Sequence, residues 1–380
     1  MNNEISIYVH IPFCKSKCYY CDFASSDKEN SACIESYINA VITEILSNSE
    51  LLSEHKIKTI YFGGGTPSYI DVEYIEKILN VLNLFMSEKP DEITIELNPA
   101  DCTYEKLKSY VLMGINRFSL GMQSANSDTL KLIGRRHTKQ DVINAVNNME
   151  KTGITNISID VITGLPNETI ETFKNTIEFI TSLSTSIKHI STYSLEVHEG
   201  TKLDTLIETG FAQLPSEDEE RKMNDLTYNI LSKNGYNMYE ISNYSKLGYE
   251  SKHNLNYWNQ GCYLGFGCAA ASYINGKRYT NVADISEYIT RVNNSQDLIE
   301  DSEQLDKLDT IKEYIILKLR LKNGVDTTEF YSRFKVDIFN MFKEEIDSLV
   351  KNKLLEYKNN RIYLTAYGRD VANIVWEKFI

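Results

Sequence analysis

Apolar residues follow two alternating rhythms through the first half of the chain. Short β-branched or aromatic runs fall at Ile5–Ile11, Lys58–Phe62, Glu92–Leu97, Arg117–Met122, Asn156–Ile162 and His189–Leu195, and these predict strands. Between them lie longer amphipathic segments, near Ile34–Leu46, Val72–Phe85, Tyr104–Met113, Lys139–Lys151 and Ile170–Leu183, which predict helices. A strand–helix alternation of this length implies a parallel sheet with right-handed crossovers, either open and doubly wound or closed into a full or partial barrel. In both cases the chemistry belongs at the C-terminal ends of the strands.

After about residue 217 the rhythm stops. Ser216–Lys222 (SEDEERK) reads as the capped start of a solvated helix, and a Tyr- and Gly-rich stretch follows. From about Gln304 two or three helical patterns lead into LLEYKNNRIYLTAYGRD, where Lys358-Asn359-Asn360 reads as a turn between two strands. Helices followed by a small hairpin predict a winged-helix-like module. Many such modules bind DNA, but residues 303–380 carry 14 Lys and Arg against 13 Asp and Glu, and the whole chain has a net charge of −13. That excludes the positive footprint nucleic acid needs and points to protein packing instead.

The polar and Gly-rich insertions cluster where a parallel sheet would place a site. A cysteine loop follows the first strand and Gly63-Gly64-Gly65-Thr66-Pro67 the second. Glu96-Leu-Asn-Pro99 ends the third and Gly121-Met-Gln123 the fourth, while Asp160, ahead of Gly164-Leu-Pro166, lies on the fifth and Tyr193-Ser194 on the sixth. The seven cysteines are odd in number and unevenly spaced, which is no disulfide framework. MNNEISIYVH has no secretory pattern, and no apolar run is long enough to span a bilayer. The expected setting is a reducing cytoplasm, where thiols are free to hold metal.

Cys14, Cys18 and Cys21 fall within eight residues, one thiolate short of a closed tetrahedral site. Three readings compete: buried small hydrophobes, a zinc site completed by His10, or a four-iron cluster with one iron left for an exchangeable ligand. Cys33, Cys102, Cys262 and Cys268 are isolated and read as core residues.

The spacing Cys14-x3-Cys18-x2-Cys21 resembles the signature of the radical S-adenosylmethionine (SAM) superfamily, and Gly63–Gly65 resembles its second motif. YVHIPFC, FGGGTPS, RFSLGMQS, Asp160…Gly164-Leu-Pro and YEISNY…HNLNYW are similar to the oxygen-independent coproporphyrinogen III oxidase family over nearly the whole chain. Where the true oxidases have a fourth cysteine this chain has Phe23; with the HNLNYW element, that resembles the heme chaperone (HemW-type) branch. The resemblance implies a partial (β/α)6 barrel over residues 1–216, a barrel extension on the heme or substrate side over 217–302, and a winged-helix-like domain over 303–380.

The resemblance also implies roles. Cys14, Cys18 and Cys21 would hold a 4Fe-4S cluster. Tyr8, Tyr20, Gly64, Gly65, Thr66, Glu96, Gln123, Arg135, Asp160 and Ser194 would contact SAM, with carboxylates accepting from its hydroxyl or amino groups and Arg135 pairing with its carboxylate. His253, Asn254, Tyr257 and Trp258 would hold heme, an imidazole being a common axial ligand. One departure stands out. Relatives read Gly-Ala-His-Ser where this chain has Ala271, so a histidine is missing; Cys268 is a conceivable replacement ligand or a core cysteine.

The expected function is heme binding and delivery to an acceptor protein, with an electron donor such as flavodoxin or ferredoxin as a further partner and a monomer or dimer as the assembly. The alternative is a radical enzyme, a dehydrogenase, decarboxylase or methyltransferase acting on a porphyrinogen or another small substrate. A zinc-binding regulator is a distant third.

Overall fold

The computed structural model describes residues 3–380. Six parallel strands, β1 (Glu4–Ile11), β2 (Lys56–Gly64), β3 (Glu92–Leu97), β4 (Arg117–Gln123), β5 (Ile157–Thr163) and β6 (Ile187–Ser194), pair in chain order. Each covers a run expected from the sequence to within two residues at either end. Ile5, Ile7, Val9 and Ile11 on β1 are all fully buried, as are Ile60 and Phe62 on β2, the burial that strands of a covered parallel sheet require. Helices Ser31–Ser47, Val72–Asn83, Tyr104–Leu112, Lys139–Lys151 and Ile170–Leu183 link them. Asn30 and Thr103 cap two of these, and Thr138 and Thr169 start two more with capping boxes, which satisfies first-turn amides that would otherwise lack partners.

The sheet does not stop at six strands. A hairpin of β7 (Asn237–Glu240) and β8 (Asn243–Ser245) adds antiparallel to β6. At the opposite edge β9 (Tyr263–Phe266) runs parallel to β1, followed by antiparallel β10 (Ala271–Ile274), β11 (Lys277–Asn281) and β12 (Ile299–Gln304). The order is β12-β11-β10-β9-β1-β2-β3-β4-β5-β6-β8-β7. This is an open, parallel-dominated sheet, which decides for the partial barrel over a closed one. The expected helix after Ser216 spans Glu217–Lys233 and has its capping box.

A second core runs from Ile311 to Phe379. It is built by helices Lys307–Arg320, Thr327–Phe334 and Ile338–Lys351 and by a small sheet of β13 (Val325–Asp326), β14 (Leu355–Lys358) and β15 (Arg361–Leu364). Asn359 and Asn360, both at positive φ, make the turn expected between β14 and β15. This core is tied to the large sheet. The amide of Ile241 donates to Arg320, Lys322 donates to Tyr239, and Arg333 donates to both oxygens of Gln260. Among the described residues no helix is long and apolar enough to cross a membrane.

One buried carboxyl should contribute strongly to the pH dependence of stability at alkaline pH. Glu168 accepts from the Leu165 amide at 3.3 Å, but its second oxygen has no partner. Burial pushes its pKa up to about 8. The folded state therefore holds a proton that the unfolded chain releases near pH 4.5. Its contribution to stability is full below that pH and is lost as pH rises through about 8. Glu168→Gln should flatten this loss and raise stability at pH 8.5 by on the order of 2 kcal/mol, measured by urea titration at pH 5 and 8.5. Equal losses in both proteins would remove Glu168 as the cause.

Candidate functional site: two cavities that meet at Phe23

The cysteine loop is held by backbone bonds to the turn after β2. Gly65 donates to Ile11 at 2.9 Å and Thr66 to Phe13 at 2.9 Å, while Cys14 and Ser26 close the loop onto itself through Cys14 N to Ser26 O at 2.9 Å and Ser26 N to Pro12 O at 2.7 Å. The glycines are needed for this approach. A Cβ on Gly65 would lie 2.9 Å from the Ile11 oxygen, and one on Gly64, at φ +110°, would lie 2.5 Å from the His10 ring. The triple glycine thus serves first to let the loop and the turn pack together.

Beyond these strand ends lies a cavity of about 630 Å³. Cys14, Cys18 and Cys21 all line it, as do Tyr20, Gly64, Gly65, Thr66, Glu96, Gln123, Arg135, Asp160 and Ser194. Tyr8 does not; it faces a second cavity. The thiols are free, with Cys14 Sγ 3.4 Å from Thr66 Oγ1 and Cys18 Sγ accepting from Arg135 Nη1 at 3.3 Å. Among the described residues no three His, Cys, Asp or Glu side chains converge on a point that would hold a single metal ion. The zinc reading with His10 loses its fourth ligand besides. His10 bonds to the Tyr8 hydroxyl (3.0 Å) and the Ala24 carbonyl (2.8 Å), on the side of the second cavity. Cys33, Cys102, Cys262 and Cys268 line neither cavity.

The cavity wall carries two half-buried carboxyls. Glu96 accepts from Tyr61 Oη at 2.8 Å, and burial raises it to about 7. Asp160 accepts from Ser119 at 2.9 Å and is also raised by burial. Arg135 reaches the Gly121 carbonyl with one nitrogen, while its Nε is buried without a partner. Gln123 sits at φ +65° beside a register shift between β4 and β5, a strained backbone of the kind that re-aims a side chain into a site. Acidic oxygens on one side and a guanidinium with an orphan donor on another suit a zwitterionic ligand bearing an added positive charge and hydroxyls. Tyr193, expected with Ser194 at the end of the sixth strand, lines this cavity too, and so do two residues not expected there, Tyr61 and Ser119. Period-2 counting was the available signal for both: Ser119 lies two residues before Gly121, and Tyr61 two before Gly63.

A second cavity, of about 480 Å³, opens between β1, β9–β11 and the helix Lys307–Arg320. Its wall includes Tyr8, Tyr257, Trp258, Tyr263, Tyr273 and Ala271. Phe23, 67% exposed, lines both cavities. Cys268 is fully buried in the main core, and its amide donates to the Tyr37 hydroxyl at 3.0 Å. It is a core cysteine, not a substitute for the histidine missing at Ala271.

The HNLNYW element forms the helix Lys252–Trp258, started by Ser251 and by Glu92, which accepts from the amides of Lys252 and His253 at 3.1 Å. The structure separates its residues. Tyr257 and Trp258 reach the second cavity; Asn254 and His253 line neither. His253 is 1% exposed, with Nδ1 2.8 Å from Thr59 Oγ1 and Nε2 2.8 Å from Tyr257 Oη. Burial, then Arg117, lowers its pKa to about 3.

Known proteins share this fold and much of this sequence. Residues 8–180 match the Radical SAM superfamily and residues 305–371 the HemN C-terminal domain. Coproporphyrinogen III oxidase (HemN) from Escherichia coli has the same fold, with a TM-score of 0.86 over 100% of this chain and 90% of that one at 22% identity. Fold, glycine turn and cysteine loop together define a radical SAM protein of the HemN type. Within that class the chain is 38% identical to the heme chaperone HemW of Lactococcus lactis subsp. lactis (strain IL1403), over 99% of this chain and 97% of that one. It is 33% identical to HemW of Bacillus subtilis (strain 168), over 99% of each. The chain belongs to the HemW heme chaperone family.

Proposed function

We propose that this protein holds a 4Fe-4S cluster and SAM in the first cavity and a heme in the second, and hands the heme to an acceptor protein. The observation that carries the reading is the pairing of the cavities. A thiol-lined polar cavity and a largely aromatic one meet at Phe23, where the cysteine of the true oxidases would stand. Cys14, Cys18 and Cys21 would ligate the cluster, which supplies an iron with an open position and a redox centre when bound. Glu96 and Asp160 would accept from the amino group or ribose hydroxyls of SAM, Arg135 would pair with its carboxylate, and Gly64, Gly65, Thr66, Gln123, Ser194 and Tyr20 would shape the rest of the cavity. Tyr257, Trp258, Tyr263 and Tyr273 give flat apolar faces against which a macrocycle can stack, and Phe23 closes the wall. Tyr8 and His10 line the aromatic side, Tyr8 stacking on Tyr61 with ring centroids 6.2 Å apart.

The test is anaerobic reconstitution with iron and sulfide, followed by titration with ferric heme and transfer to an apo-acceptor, read by Soret absorbance. Saturable binding near one heme per chain supports the reading. Absence of binding by the reconstituted protein sinks it and turns attention to radical chemistry on a small substrate.

A separate expectation concerns Glu96. Its carboxylate attracts a cationic ligand only when ionised, so SAM affinity should fall as pH drops through about 7. Glu96→Gln should bind SAM roughly tenfold more weakly at pH 8 and lose that pH dependence. Isothermal titration from pH 6 to 8.5 checks both; an unchanged pH profile in the variant would assign the titration to another group.

A further inference from the structure

His253 is the residue of the HNLNYW element that chemistry would first choose as an axial ligand to heme iron, yet its surroundings leave it no means to act as one. Thr59 gives its hydroxyl hydrogen to Ser6 Oγ at 2.8 Å, so it accepts from His253 Nδ1–H. The remaining lone pair, on Nε2, is then the acceptor for the Tyr257 hydroxyl. A neutral imidazole has one lone pair to offer a metal, and here it is spoken for. The ring is also enclosed, 1% exposed: it stacks on Tyr61 with centroids 5.0 Å apart, and Tyr257 stands perpendicular to it with centroids 4.9 Å apart. Tyr257 in turn meets Tyr263 edge-to-face at 4.7 Å. The other histidine of this region, His10, lines the cavity with both ring nitrogens bonded. The histidine that relatives carry at the position of Ala271 is absent.

We propose that His253 is a positioning residue and not an iron ligand: it fixes Tyr257, and through it the aromatic wall, so that the second cavity recognises the flat face of a tetrapyrrole and not its metal. The proposal rests on the reading that this cavity takes a tetrapyrrole, and it specifies what is recognised. The Thr59–His253–Tyr257 chain runs from the middle of β2 to the cavity wall, so the wall is referenced to the rigid parallel sheet. Removing His253 costs two hydrogen bonds and two ring contacts and leaves the Tyr257 hydroxyl unheld, and this weakens stacking on any planar macrocycle whether or not it carries iron.

The experiment compares ferric heme with metal-free protoporphyrin IX, titrated into the full reconstituted chain as wild type, His253→Ala, His253→Gln and Thr59→Val. The expected result is that wild type binds both macrocycles. His253→Ala and Thr59→Val should weaken both by the same factor, roughly tenfold for the loss of a buried hydrogen bond and its packing. His253→Gln, which can still meet Thr59 and Tyr257, should recover part of that loss. The ferric heme spectrum, which reports the axial ligand, should be the same in all four proteins. Thr59→Val leaves His253 in place, so the proposal stays testable where His253→Ala fails to fold. A selective loss of heme binding in the His253 variants, with protoporphyrin affinity retained and the axial signature changed, would overturn the proposal while leaving the heme reading intact. Failure of wild type to bind either macrocycle would overturn both.

Discussion

Cys18→Ser should leave the reconstituted protein with almost no iron or sulfide. Three thiolates are the minimum that holds a four-iron cluster with one iron open, and no spare cysteine lines the cavity: Cys33, Cys102, Cys262 and Cys268 all lie outside it. Serine offers a harder, more basic oxygen that suits iron–sulfur ligation poorly. The effect on the fold should be small. Cys18 is partly exposed, and the contact it loses is a weak one with Arg135 at 3.3 Å, so unfolding of the metal-free protein should shift by less than about 1 kcal/mol. Iron and sulfide assays on wild type, Cys18→Ser and a Cys33→Ser control decide the matter. Iron in Cys18→Ser at the wild-type level would remove Cys18 from the ligand set, and iron lost in Cys33→Ser would show that the effect is not local.

Gly64→Ala should destabilise the folded chain by about 3 kcal/mol or more, the sum of backbone strain at positive φ and a steric conflict. Gly64 has φ +110°, and its added methyl would fall 2.5 Å from the imidazole of His10. That ring cannot move aside cheaply, because both its nitrogens are bonded, to Tyr8 and to Ala24. Gly114 provides the contrast: it has a similar φ of +98° but nothing within 4 Å of a new Cβ, so Gly114→Ala should cost only the backbone share, about 1 kcal/mol. Adding His10→Ala to Gly64→Ala should recover the steric part and leave the strain. Urea midpoints of the four proteins give the answer, and equal losses for the two glycine variants would mean that the approach of His10 is not what Gly64 permits. The consequence reaches the site, since Gly65 and Thr66 follow directly and Thr66 both anchors the cysteine loop and contacts Cys14.

Much of this was legible in the chain itself. The six runs of β-branched residues became β1–β6, because strands covered on both faces need continuous apolar side chains and nothing else in the sequence competes for that pattern. The helices came out where amphipathic segments predicted them, and Asn359-Asn360 made its turn because asparagine tolerates the left-handed backbone a tight hairpin needs. Cysteine loop, glycine turn and the polar ends of β3–β5 could be placed together because a parallel sheet presents all its C-terminal ends on one side.

The region after Ser216 was less legible. Strands β7–β10 are three or four residues long, mix tyrosine, glycine and asparagine, and show no alternation long enough to read. They exist because the edges of an already formed sheet supply hydrogen-bond partners, and a pairing of that kind has no local signature. The same holds for the HNLNYW element. Its spacing puts His253 and Tyr257 on one face of a helix, as any i, i+4 pair must be. Which of the two meets the cavity depends on Glu92 holding the helix start and Thr59 receiving the imidazole, residues 161 and 194 positions away in sequence. The sequence by itself determined the class of fold, the cysteine loop and the family, since these rest on periodicity and on spacing within short segments. Only the tertiary structure decided that there are two cavities, that Phe23 stands between them and that His253 is turned inward, because those facts depend on which distant side chains share one buried space.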